Sequence, residues 1–384
     1  FSGEAGRSYE FIALAVDNAG NRERPPVGTS APDDGSQVNL GDLSTVPTTI
    51  DTTPAPDPSP LPATNPLFVT AEAGVPAIEP LTELSEFDSV LDPFTMQSFA
   101  TGFRNSGAGI GALAVLELPD GDVLVSGGIN RSWIYRFGEG GGRADVAWAE
   151  LDDPIFNLAL DSEGRLWATT GGGALLELDS FNGSVLGRHG DGITQAFAVD
   201  PATGLLYVST GDGVATFDPT TSTFEQFSNV RVDDLQFSPT GELWGTSWPE
   251  RGTVLQFDAQ GRVTPMLSFA AKKVDSIAFG QNGTLLEGLL FVSTNLPDDQ
   301  TQGSTLEMVD LASLRRLTLA TGGSRGELLR TTADGTVLIA QSRQVDLLSP
   351  LVAPTVSLST PAAGTLLPLP LPAITVTFDT DMYA

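Results

Sequence analysis

The 384-residue sequence contains no cysteine, which removes disulfides, thiolate metal sites and cysteine nucleophiles together. It contains a single histidine, His189, and with that scarcity go nearly all serine–histidine triads and multi-histidine metal centres. Basic residues are few: 19 Lys and Arg stand against 48 Asp and Glu, a formal net charge of −29. A field of that sign repels phosphate backbones and anionic lipid, so no nucleic-acid partner is expected. No run of about 18 or more apolar residues occurs, so no membrane insertion is expected. The chain opens at Phe1 without an initiator methionine or signal peptide, and it reads as a piece of something longer.

What is present is a β composition. Glycine (42) and proline (27) are plentiful, hydrophobic residues make up 40% and charged residues only 17%, which suits many short strands joined by turns. Residues 6–24 alternate, with Tyr9, Phe11, Ala13 and Ala15 on one face, and Asp17-Asn18-Ala19-Gly20-Asn21 supplies turn chemistry. This ending resembles the last strands of fibronectin type III or bacterial immunoglobulin-like domains, assigning 1–24 to the end of such a domain. Residues 25–94 read as an acidic, proline-rich linker, stiffest over 53–62, where alternating prolines favour extended polyproline II. Leu81, Leu84, Phe87 and Leu91 recur at helical spacing, predicting a short helix near 80–91.

From 95 to 350 the chain repeats itself. An apolar strand, a turn ending in glycine and a second apolar strand recur around Gly121, Gly164, Gly204, Gly241, Gly283 and Gly335. A period near 40 residues with two hairpins per unit indicates propeller blades. Six anchors predict an all-β, six-bladed β-propeller. Its last blade has three strands, and Thr95–Ala100 is expected to supply the fourth and close the ring. The anchors resemble those of NHL-repeat, gluconolactonase-type and virginiamycin-lyase-type propellers. The lyase relatives depend on histidine, which this region supplies only at His189. The tail, 351–384, carries Pro354-Thr355-Val356, then Ile374-Thr375-Val376-Thr377-Phe378 and Asp381-Met382. It resembles the first strands of a second immunoglobulin-like domain, so the fold is expected to carry partial immunoglobulin-like β-sandwich segments at both ends.

Several motifs bear on chemistry. Gly322-Gly323-Ser324-Arg325-Gly326 matches Gly-x-Ser-x-Gly, but falls between two blades, whereas a nucleophile elbow needs a strand-to-helix turn and a histidine. The segment 298–304 has a loose EF-hand flavour with the wrong ligands at its third and fifth positions. Aligning the innermost strands sets Ala112, Phe156, Gln195, Asp233, Asp275 and Glu327 around one mouth of the central channel. Three carboxylates and an amide there are candidate ligands for a hard cation such as Ca²⁺: Gln195, Asp233, Asp275 and Glu327. Gluconolactonase-type propellers hold a catalytic metal at that location, and Asp234 and Asn157 offer similar chemistry, although the family's ligand order is not reproduced. Trp167 and Trp244 occupy equivalent second-strand positions and are expected in the core. Trp248, with Asn130, Arg131, Glu250 and Arg251, is the candidate recognition rim.

The leading expectation is a non-catalytic structural or adhesive module of a long secreted or cell-surface bacterial protein. Its partners would be other immunoglobulin-like domains of the same chain, and a surface glycan or protein. A glycan- or peptide-binding propeller is the alternative, and a metal-dependent lactonase or hydrolase of the gluconolactonase type the second.

Overall fold

The computed structural model describes residues 61–77, 84–107, 109–250, 252–269, 272–295, 303–351, 356–360 and 375–378. The immunoglobulin-like ending expected at 1–24, the spacer through residue 60, Arg251 and the segment 298–302 lie outside the described residues, as does most of the tail. Within the tail, Val356–Thr360 and Thr375–Phe378 pair as an antiparallel hairpin.

Five sheets follow in chain order, antiparallel but for one short edge. The first pairs Val115–Glu117, Val123–Gly127, Trp133–Phe137 and Ala149–Glu150. The second has seven strands, from Asn157–Leu160 through the 15-residue strand Val185–Val199 to Thr223–Ser228. Val232–Phe237, Leu243–Ser247, Thr253–Phe257 and Val263–Ser268 form the third. The fourth runs from Lys273–Phe279 to Arg315–Gly323 and gains Ser89–Val90 at its edge. The last contains Leu329–Thr331, Val337–Ala340 and Gln344–Pro350, completed by Phe94–Thr101 from the other end of the chain. In that pairing Met96 lies opposite Leu348, and Gly142–Arg143 adds a short parallel edge outside it.

Turn chemistry explains the repeat. All six anchor glycines adopt left-handed φ, from +75° at Gly204 to +94° at Gly241, a conformation that any Cβ strains. Strands between neighbours bury both faces, as in Val123–Gly127, where every residue is buried, whereas the outer Thr223–Ser228 is mostly exposed or half-buried. The innermost strands pack side by side: Val115–Glu117 on Asn157–Leu160, then Val185–Val199, Val232–Phe237, Lys273–Phe279 and Leu329–Thr331, which returns to Val115–Glu117. The fold is therefore all-β and propeller-like. Its apolar clusters lie between successive sheets; one joins Phe99 and Phe103 to Leu124, Leu158 and Leu338. Trp167 (1% exposed) and Trp244 (6%) are core residues.

The helix predicted near 80–91 is corrected. Ser89–Val90 is a strand, Leu84 is an exposed bridge residue paired to Gln97, and Phe87 is buried. The helix is instead Pro66–Ala71. Asn65 Oδ1 caps it by accepting from the Leu67 and Phe68 amides at 2.8 and 3.4 Å, and proline sits at its first turn. The helix is held to the fourth sheet by Asp310, whose Oδ2 accepts from the Thr64 and Asn65 amides at 2.9 and 3.0 Å. Phe68, wholly buried, packs in the same cluster as Leu289 and Phe291. Over residues 84–91 the segment is extended, with Phe87 and Val90 buried and Leu84 exposed.

Candidate functional site

The innermost strands start at one mouth of the ring, and there Phe156, Gln195, Asp233, Arg231 and Trp248 line a cavity of about 260 Å³. Backbone pairing sets the positions. The Phe156 amide donates to the Thr169 carbonyl at 2.9 Å, and the Thr169 hydroxyl to the Gln195 carbonyl at 3.0 Å, linking neighbouring inner strands. The Trp248 amide donates to the Arg231 carbonyl at 3.1 Å, and both residues line the cavity.

Of the expected recognition rim, Trp248 lines this cavity, and Arg131 packs against one of its wall residues, Phe156. The Arg131 guanidinium lies 5.2 Å from the centre of the Phe156 ring and donates from Nε to Ser106 Oγ at 3.2 Å. Arg131 also holds a left-handed φ of +60°, and burial lowers its pKa from the usual arginine value. Trp248 is half-buried rather than freely exposed. Asn130 and Glu250 are exposed and do not line the cavity; the Glu250 carbonyl accepts from Ser247 Oγ at 2.6 Å. Arg251 lies outside the described residues.

Of the expected cation ligands, Gln195 and Asp233 share the cavity, while Asp275 and Glu327 are not among its walls. Glu327 is ion-paired with Arg325, an arrangement the sequence reading did not anticipate. Among the described residues no three His, Asp or Glu side chains gather closely enough to hold a metal ion. Asp233, Asp275 and Glu327 therefore do not form such a group of three carboxylates.

Deeper in the channel a polar belt ties four inner strands together. Asp234, with no exposed surface, accepts from the Ile277 amide at 3.1 Å and from Ser276 Oγ. Arg330 Nη1 lies 3.7 Å from Asp234 Oδ2, and its Nη2 donates to Asn157 Oδ1 at 2.9 Å. Burial pushes the Asp234 carboxyl up and the Arg330 guanidinium down, each opposed by the other's charge. Arg330 was not anticipated, yet the signal is visible: a cation in Leu328-Leu329-Arg330-Thr331, where the other anchors are mostly apolar.

The remaining motifs are structural or separate. His189 lies on the outer half of Val185–Val199, its ring centre 5.5 Å from that of Trp167 and 5.0 Å from that of Phe217. Its nearest charged atom is Glu177 Oε2, at 3.8 Å. Ser324 falls in a strand-to-strand loop, donates to the Glu86 carboxylate and accepts from the Ser342 amide at 3.0 Å. Burial raises the Glu86 pKa, and no histidine takes part.

No family model matches the chain, and no curated protein matches it. Solved structures do. A gluconolactonase from Xanthomonas campestris superposes with a TM-score of 0.51 at 12% identity, covering 75% of this chain and 98% of that one. Virginiamycin B lyase from Staphylococcus aureus gives 0.46 at 10% identity, covering 67% of this chain and 100% of the lyase. The extracellular domain of a protein described as a one-component system from B. thetaiotaomicron gives 0.43 at 13%, covering 64% of this chain and 39% of that domain. At 12% identity the likeness to the gluconolactonase speaks to fold alone, and it agrees with the all-β, propeller-like architecture.

Proposed function

We propose that this chain is a non-catalytic recognition module: a six-bladed propeller carried between immunoglobulin-like domains of a long secreted or cell-surface protein. Six blades are supported by the six left-handed anchor glycines and by the closed sequence of inner strands. The seven-stranded sheet is then two blades sharing Val185–Val199, whose first half pairs with Gly173–Leu178 and whose second half pairs with Leu206–Thr210.

The observation that carries the recognition reading is the cavity that Phe156, Gln195, Arg231 and Trp248 share at one channel mouth, with Arg131 packed on the Phe156 ring. An aromatic ring beside a guanidinium and an amide, Gln195, is chemistry that stacks on a sugar or a peptide plane and fixes it with hydrogen bonds. The partner is a surface glycan or an extended peptide. The test is intrinsic tryptophan fluorescence of the full chain titrated against panels of oligosaccharides and peptides. Saturable quenching that is lost in Trp248→Ala supports the reading; quenching unchanged in that variant refutes it. Turnover of esters, lactones and glycosides is expected to be absent with and without divalent ions. Metal-dependent turnover abolished by Asp233→Asn would make the chain an enzyme instead.

A further inference from the structure

Another cavity, of about 420 Å³, opens where distant segments of the chain meet, within the roughly 300–1,000 Å³ of small-molecule sites. Glu86 enters from the extended segment 84–91, and Asn105 and Gly109 from the loop before the first sheet. Ser324, Ser342 and Arg343 come from the loops that precede Leu329–Thr331 and Gln344–Pro350. Every wall residue is polar or glycine, with one carboxylate and one guanidinium among them. The Glu86 side chain is half-buried and accepts from the Ser324 hydroxyl, whose oxygen accepts from the Ser342 amide at 3.0 Å. The Glu86 amide donates to Asp346 Oδ2 at 3.1 Å, which fixes the root of that side chain. Burial raises the Glu86 pKa, while the Ser324 hydrogen bond and the charge of Arg343 act to lower it. Arg343 is exposed, and its carbonyl accepts from the Phe103 amide at 3.2 Å. The Ser106 amide, donating to the Ile110 carbonyl at 2.8 Å, closes the loop that carries Asn105 and Gly109.

The two charges say which molecule. A lone anion is drawn to Arg343 and repelled by Glu86, and a lone cation the reverse, so neither gains much. A small molecule carrying both an ammonium and a carboxylate meets an opposite charge with each end. Its hydrogen bonds to carboxylate and guanidinium are charge-assisted, roughly twice as strong as neutral ones. No aromatic ring lines the walls, so the cavity offers no stacking surface to a flat ligand. We propose that this cavity binds a zwitterion: a free α-amino acid whose ammonium faces Glu86 and whose carboxylate faces Arg343. The cavity shares no residue with the one lined by Trp248, so the two readings stand or fall separately.

The test is calorimetric titration of the full chain with glycine, serine and glutamine, each also offered as its N-acetyl and its methyl-ester form. Saturable binding of at least one free amino acid is expected, with Kd on the order of 1 mM. The N-acetyl form lacks the ammonium and the ester lacks the carboxylate, and each is expected to bind at least about tenfold more weakly. Arg343→Gln, at an exposed position, and Glu86→Gln, which keeps an acceptor for Ser324, are each expected to weaken binding about tenfold. Circular dichroism reports whether each variant folds, and the exposed site of Arg343→Gln keeps the test valid should Glu86→Gln misfold. Trp248→Ala is expected to leave the affinity unchanged. Absence of saturable binding overturns the proposal, as does binding that the folded variants leave unmoved or that Trp248→Ala abolishes. An N-acetyl or ester form that binds as tightly as its parent overturns the zwitterion assignment.

Discussion

Closure of the ring by Phe94–Thr101 is the contact most exposed to a decisive test. The strand comes from the N-terminal side of the propeller and pairs with Gln344–Pro350, some 250 residues away. It buries Phe94 (0% exposed), Met96 (3%) and Phe99 (8%). The Phe94 ring packs edge-on against Phe291, centroids 6.4 Å apart, and the Phe99 ring against Phe137 at 6.2 Å. Each such side chain contributes about 1.5–3 kcal/mol by leaving water. The three together supply roughly 5–9 kcal/mol, a large part of the 5–15 kcal/mol that holds a typical domain folded. A chain beginning at Arg104 also leaves the Gln344–Pro350 edge unpaired and open to other chains. It is expected to lose cooperative unfolding and to aggregate. The point substitution Phe94→Ala is expected to cost about 3–5 kcal/mol and to lower the melting temperature by roughly 10 °C. Leu84→Ala, at a position 61% exposed, is the control and should stay within about 0.5 kcal/mol. Urea denaturation followed by circular dichroism reads both. A truncated chain that melts cooperatively at the parent temperature would refute ring closure as a source of stability.

Asp346 sets a pH dependence. Burial raises its carboxyl from 3.8 to about 7, against hydrogen bonds donated by Gln344, Ser85 and the Glu86 amide. Between those two values the folded chain holds a proton that the unfolded chain has released, so this group's stabilisation falls as pH rises from about 4 through about 7. Asp346→Asn should flatten that slope in melting temperature against pH, and an unaltered slope would show that another group sets it. Asp310 works in the opposite direction. Its pKa lies below the usual aspartate value because, although burial acts to raise it, the donors Ser313, Asn65 and Thr64 prevail. The stability it contributes is therefore lost as pH falls below about 4, and Asp310→Asn should reduce that acid-side loss. Asp234→Leu strands the Arg330 charge in the channel and is expected to cost about 3–5 kcal/mol, whereas Asp234→Leu with Arg330→Met should recover most of it. Equal loss in the single and double variants by urea denaturation would mean the pair does not act as a unit.

Much of this architecture is legible in one dimension because β-turn chemistry is local. A left-handed φ asks for glycine, so Gly121, Gly164, Gly204, Gly241, Gly283 and Gly335 mark the anchors without reference to anything distant. The alternation in Thr95–Ala100 likewise suffices to identify a spare strand, and a last blade with three strands says where it goes. The spacing near 80–91 misleads because Leu84 is exposed while Phe87 and Val90 are buried in an extended segment, whereas the helix Pro66–Ala71 carries a local cap at Asn65 and an anchor at Asp310 made across about 245 residues. That Trp248 shares a cavity with Phe156, and that Arg131 packs on the same ring, depends on how neighbouring sheets meet.

The sequence alone determined the all-β class, the period, the closing strand, and the poverty of histidine and cysteine that narrows the chemistry. Tertiary structure alone decided which charges meet. Glu327 takes Arg325 instead of joining Asp233 and Asp275, and Arg330 reaches from the last sheet to Asp234 and Asn157. Coulomb and hydrogen-bond energies vary over a few ångströms, whereas repeat spacing places a residue only to within a strand. The partner of a buried charge is thus set by how inner strands from distant parts of the chain pack around a common channel.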